Sequence, residues 1–197
     1  MSKFQIQYSP GATPLNPDEL AGLIPNYITT QGELNELERE NILEATEWAL
    51  GKTSHDCMNM TFCFDLHKRM FSKVWKWAGT TRQSDKTIGV HWPQINTKLK
   101  VLFDDTNFWI SDQTYGFDEL AARFHHRLVA IHAFSNGNGR HARLMTEVIQ
   151  IVNDKILFTW GRTDLSSSNS TVRQEYLDSL KAADMGSYES LIKFVRK

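Results

Sequence analysis

Cysteine is almost absent from this chain. Cys57 and Cys63 are the two thiols in 197 residues. Their spacing fits neither a disulfide framework nor the two-residue interval of a zinc or redox pair, so both read as reduced, partly buried thiols. Long apolar runs are also missing. No stretch approaches the ~20 apolar residues of a membrane helix, and the first twenty residues hold no run of signal-peptide length. A cytoplasmic protein without a membrane partner is the expectation. Charge of one sign is lacking too: 22 Lys and Arg stand against 23 Asp and Glu, a net charge of −1. No global basic field exists to hold a long nucleic acid. Proline is scarce, and four of the five (Pro10, Pro14, Pro17, Pro25) fall in the first 25 residues. Residues 1–28 therefore read as an extended arm rather than a helix.

What is present is an ordinary globular balance, 41% hydrophobic and 23% charged. One domain over 29–197 is expected from the length. Apolar residues recur at helical intervals over Glu33–Leu50, where Gly51 suits the C-terminal end, and over Phe62–Trp77. Between 79 and 98 the character changes: Gly79, Gly89, Pro93, Thr87, Ile88, Val90 and Trp92 suggest a short hairpin or structured loop. Helical patterns resume at Leu99–Ile110, Phe117–Ile131, Asn138–Val152, Thr171–Ala183 and Ser187–Arg196, with a polar loop, SSSNS, at 166–170. The fold class expected is all-α with a small β-hairpin flap. Trp48, Trp75, Trp77 and Trp109 read as core, and His67 as a satisfied structural histidine.

The informative segment is His132-Ala133-Phe134-Ser135-Asn136-Gly137-Asn138-Gly139-Arg140-His141-Ala142-Arg143. It joins two helical stripes through a Gly- and Asn-rich turn. Such a turn converges backbone N–H groups at a helix start, which is an anion-binding arrangement. Arg140 and Arg143 share one face of that first turn, so both guanidinium forks reach the same anion. Cations are mildly unfavourable at a helix N-terminus, and an anionic ligand would remove the conflict. His132 ends the preceding helix and supplies a proton acceptor near neutral pH. Gly137-Asn138-Gly139-Arg140-His141-Ala142 also fits a loose dinucleotide pattern, but no strand precedes it. Gly51-Lys52-Thr53 lacks the earlier glycine of a phosphate loop, since Thr46 stands there. A zinc site from His125, His126, His132 and His141 lacks an H-E-x-x-H arrangement or a cysteine partner.

Residues 132–143 resemble the signature of the Fic domain family (filamentation induced by cAMP), H-P-F-x-D/E-G-N-G-R-x-x-R. Matches are His132, Phe134, Gly137, Asn138, Gly139, Arg140 and Arg143; Ala133 replaces Pro, and Asn136 replaces Asp or Glu. Lys76-Trp77-Ala78-Gly79-Thr80-Thr81-Arg82 is similar to the family's stretch before its flap. Arg173-x-x-Tyr176 with Leu180 resembles the helix after the core.

The resemblance implies a helical bundle and transfer of AMP from ATP to a Ser, Thr or Tyr hydroxyl of a target protein. It gives His132 the role of base. It gives the phosphates to Gly137, Asn138, Gly139, Arg140 and Arg143, and makes 136 the Mg²⁺ position. The flap, with Arg82, Ile88, Gly89 and Val90, would hold the target by strand addition. Asn136 brings no negative charge, so weaker metal affinity is expected. Doc-type kinases of the family carry lysine where Gly139 stands, which favours adenylyl over phosphoryl transfer. Other phosphate-group transfers, and a non-catalytic nucleotide-binding fold, remain alternatives. Regulation by an antitoxin partner or by self-inhibition is also implied. The family's inhibitory pattern, S/T-x-x-x-E-G-N, meets Thr29, Glu33 and Asn35 here, with Leu34 in place of Gly. Thr30 with Glu33 equally reads as a capping box.

Overall fold

A computed structural model describes residues 14–52, 54–162 and 171–197. The SSSNS segment and the first part of the arm lie outside the described residues. The helices are α1 (Pro17–Leu20), α2 (Gln31–Leu50), α3 (Met60–Phe71), α4 (Ile95–Asp112), α5 (Phe117–Ile131), α6 (Asn138–Val152), α7 (Thr171–Asp184) and α8 (Glu189–Val195). The central pair, α5 and α6, packs together; α4 lies against α5, while α2 and α3 pair with each other and reach α6. One core joins α2 to α6 through Leu66, Met70, Trp75, Leu99, Leu102, Phe124 and Met145. A second, smaller core lies around α7 and α8, built from Phe158, Trp160, Tyr176, Leu191 and Phe194.

The arm corrects one expectation. Pro17 sits in the first turn of α1, where its missing N–H costs nothing, and Asn16 closes a capping box with Glu19. The arm is also docked. Ile24 N–H donates to the Val74 carbonyl at 2.8 Å, Lys76 N–H to Gly22 at 2.8 Å, and Trp77 Nε1–H to Glu19 at 2.9 Å. These bonds explain why α3 stops at Phe71 and not at Trp77. Residues 72–77 turn away from helix: the Val74 carbonyl and the Lys76 N–H go to the arm, with a bridge between Leu23 and Trp75, while the Lys73 N–H donates to Asn41 Oδ1 of α2 at 3.0 Å.

The expected hairpin is not formed as strands; no strand occurs among the described residues. Residues 82–94 make an irregular loop. The carbonyls of Ser84 and Val90, which a hairpin would pair, both accept from the Arg82 guanidinium. Val90 N–H turns to the Ile131 carbonyl at 3.3 Å, and Gly89 takes a φ of +102°. The loop is stapled to the arm by the buried Lys86–Glu19 ion pair and by Lys86 Nζ–H to the Pro14 carbonyl at 3.1 Å.

Deleting residues 1–28 should therefore lower the melting temperature and red-shift tryptophan emission, because Trp75 and Trp77 lose their cover. It should also speed proteolysis at Lys86. Unchanged emission and protection would show that the arm contributes no packing.

Candidate functional site

The site is built where α5 ends and α6 begins. His132 caps α5 in the left-handed region, at φ 53° and ψ 58°. That conformation is uncommon for a residue with a Cβ, and it persists only where the surroundings fix it. Arg82 fixes it: Nε–H donates to the His132 carbonyl at 2.7 Å, and the Arg82 N–H donates to the Ala133 carbonyl at 3.0 Å.

The turn that follows closes on itself. Asn138 Nδ2–H donates to the Phe134 carbonyl at 2.7 Å, while Asn138 Oδ1 accepts the Phe134 N–H at 2.9 Å. The Asn138 side chain thus shapes the loop. Its backbone N–H stands at the helix start, where no side chain caps α6. Gly137 has a φ of +78°, and a Cβ there would sit 2.4 Å from the Phe71 ring. No other residue fits both constraints.

His67 braces the turn from below. Its Nε2–H donates to the Asn136 carbonyl at 3.1 Å, and its Nδ1 accepts the Gly79 N–H at 3.0 Å. A carbonyl only accepts and an amide N–H only donates, so this imidazole is neutral. Its ring stacks on Phe134 with centroids 3.7 Å apart. The W-A-G stretch and the His132–Arg143 segment are joined through this one histidine.

The two arginines differ in their surroundings. Arg140 Nη1–H donates to Glu38 Oε2 at 2.7 Å, and its guanidinium lies 4.9 Å from the Phe71 ring centroid. Arg143 lies near the Tyr176 hydroxyl, and burial together with the neighbouring Arg140 lowers its pKa. An anion at the helix start would relieve that cost.

The expected inhibitory residues are elsewhere. Glu33 is exposed, and its carboxylate accepts the Thr29 N–H at 2.8 Å and the Thr30 N–H at 3.1 Å. Thr30 completes the capping box. The acid that the structure brings to an arginine of the turn is Glu38, which the sequence reading did not single out. One signal existed: Glu38 falls on the stripe Leu34, Glu38, Asn41, Ala45, Ala49 that α2 buries.

The metal position holds no charged ligand. Asn136 Oδ1 accepts the Gly137 N–H at 2.6 Å, so the neutral oxygen is already engaged. Among the described residues no group of three or more His, Cys, Asp and Glu is arranged to hold a metal ion. Asn136 could offer a Mg²⁺ one neutral oxygen, with the remaining coordination left to phosphates and water. Of the flap residues, Arg82 is 1% exposed and faces carbonyls rather than solvent. Ile88 is exposed. Gly89 lies against His132, where an added Cβ would come within 2.7 Å of the His132 Cβ.

His132 at the end of α5 is thus followed by an α6 start that no side chain caps and that carries two arginines, an arrangement able to receive an anion. Residues 58–150 match the Fic/DOC family model. Among curated relatives, the protein adenylyltransferase Fic of Aedes aegypti is 28% identical over 145 residues, covering 72% of this chain and 28% of that protein. Protein adenylyltransferase fic-1 of Caenorhabditis elegans is 28% identical over 147 residues, covering 73% and 27%. This chain thus spans about a quarter of the length of these relatives. Among solved structures, the BepC effector of Bartonella tribocorum, with bound AMPPNP, shares the fold at a TM-score of 0.67 and 17% identity, covering 92% of this chain and 97% of that one. An N-terminal Fic domain from Bartonella quintana, with bound ADP, does so at 0.64 and 21%, covering 87% and 86%.

Burial sets the protonation of this region. It pushes His132 down to about 4, helped by the Arg82 charge. Burial also takes His141 to about 4, His125 to about 3 and His67 well below its ordinary value. The unfolded chain binds protons near pH 6.5, where the folded chain does not. Stability is therefore full above pH 6.5 and is lost as pH falls through 6.5 toward 4. At about 1.4 kcal/mol per pKa unit, each histidine costs on the order of 2 kcal/mol by pH 5. The melting temperature should fall steadily from pH 7.5 to 5. A flat profile would show that these imidazoles ionise in place.

Proposed function

We propose that the chain is a protein adenylyltransferase, moving AMP from ATP to a Ser, Thr or Tyr hydroxyl of a target protein. The observation that carries this reading is the arrangement of residues 132–143: a neutral His132 held in a left-handed cap, followed by an uncapped helix start with Arg140 and Arg143. A buried neutral imidazole accepts a proton without first losing one. In this reading His132 takes the proton of the target hydroxyl, the hydroxyl oxygen attacks the α-phosphorus, and the bond to pyrophosphate breaks. The backbone N–H groups at Asn138 and Gly139 and the two guanidinium groups oppose the charge of the leaving phosphates. Positioning and charge neutralisation do most of the work in such transfers.

The likeness to protein adenylyltransferases supports the reaction type, and the AMPPNP and ADP bound in the Bartonella structures support ATP as substrate. Mg²⁺, where it takes part, would arrive on the nucleotide's own phosphates, because Asn136 offers a neutral and already bonded oxygen. The loop at Ile88–Val90 lies beside His132 and would receive the target segment. No helix among the described residues is long and apolar enough to cross a membrane.

Incubation of the chain with lysate and ATP labelled at the α- or the γ-phosphate tests the proposal. Label from the α position alone is expected, falling by about 10²-fold or more in His132→Ala. Label from the γ position alone would replace adenylyl by phosphoryl transfer. Label that survives His132→Ala would refute the base.

A further inference from the structure

Glu38 is a charged residue on a face that α2 otherwise buries in the core. It is 5% exposed, whereas its helix neighbours Glu36 and Glu44 pair with Arg39 and Lys73 at the surface. Both its oxygens are engaged. Oε1 accepts the Trp75 Nε1–H at 2.7 Å, and Oε2 accepts Arg140 Nη1–H at 2.7 Å. Trp75 is itself buried.

A buried carboxylate is costly, and a well-packed apolar residue in its place is often as stable or more so. Stability alone therefore does not account for Glu38. What the carboxylate does geometrically is fix one edge of the Arg140 guanidinium. The Phe71 ring backs that guanidinium, and the same ring fills the space beside Gly137 where a Cβ would go. Glu38, Phe71 and the turn thus confine a side chain that would otherwise sample many rotamers. Arg140 stays about one third exposed, and Nη1 is the nitrogen it gives to Glu38. Its remaining N–H groups can still meet an anion at the helix start.

We infer that Glu38 is the positioning residue for Arg140: it holds the guanidinium in the orientation that receives the nucleotide's phosphates, and Trp75 holds Glu38. This rests on the reading of Arg140 as a phosphate contact. A brake is the opposite assignment for the same ion pair. It requires the carboxylate to leave when nucleotide enters, yet Glu38 sits mid-helix with its second oxygen held by a buried indole.

The test is ATP affinity of the full chain, by calorimetry, in the parent, Glu38→Gln, Arg140→Ala and the double variant, each with a melting curve. Glu38→Gln should weaken ATP binding about tenfold, as loss of orientation does. In the Arg140→Ala background the same change should have less than about a twofold effect, which a merely structural role would not produce. If Arg140→Ala weakens binding while Glu38→Gln leaves it unchanged or tightens it, the positioning role is wrong and the phosphate site stands. If Arg140→Ala leaves ATP affinity unchanged, the phosphate-contact reading fails first. Should Glu38→Gln not fold, Glu38→Asp carries the same test. It keeps the charge but withdraws the carboxylate by one methylene, and unchanged ATP affinity in it would overturn the proposal.

Discussion

The buried guanidinium of Arg82 is the interaction on which the rest of the site depends. A buried cation must be hydrogen-bonded around its whole edge or it is strongly destabilising. Arg82 meets that demand with backbone carbonyls, those of His132, Ser84 and Val90, with Asp85 at 3.6 Å as its ionic partner. Three consequences follow from one side chain. The left-handed turn at His132 is held in place. The loop from 82 to 94 has its carbonyls occupied and forms no ladder. The Arg82 charge adds to burial in keeping His132 neutral. Geometry and protonation of the candidate base thus share a cause.

The helices that frame the site were the most legible part of the sequence. Phe117–Ile131 and Asn138–Val152 coincide with the expected bounds, because a strong apolar stripe and a glycine-rich break agree there. Legibility failed where tertiary partners overrode local pattern. The periodicity of Val74 and Trp77 continues past Phe71, but the arm takes the Val74 carbonyl and the Lys76 N–H, and Asn41 takes the Lys73 N–H. The β-forming residues of 87–92 are real, yet Arg82 occupies the carbonyls they would need. The two prolines nearest α1 suggested an extended chain, although one of them stands where a helix begins.

The acidic residues show the same limit more sharply. Spacing alone made Glu33 a candidate partner for an arginine, and its local role as a cap was equally consistent with that spacing. Local hydrogen bonds were available to Glu33 without any cost of long-range ordering, and the structure uses them. Glu38 stands in a run of glutamates and was not singled out from the sequence. Its inward direction follows from α2 meeting α3 and α6 along one stripe, which is a property of packing that a single sequence does not display.

The two arginines of the turn are consequently unequal, and this sharpens what their ligand must be. Arg140 has its charge answered by a carboxylate at hydrogen-bond distance, so it contributes orientation more than net field. Arg143 forms no ion pair with a described carboxylate. It leans on the neutral Tyr176 hydroxyl and on the charge of Glu147, whose own pKa is raised by burial. Its positive charge is the less compensated of the two in a poorly solvated place, where an opposing charge is worth most. A triphosphate suits this asymmetry, because its charge is greatest at one end. The family resemblance implies a pose with the γ-phosphate toward Arg143, and in the proposed reading this charge asymmetry is consistent with it. If the proposed reading holds, a near-neutral chain concentrates its anion recognition in two side chains, Arg140 held by the Glu38 carboxylate and Arg143 with no ion pair to a described carboxylate.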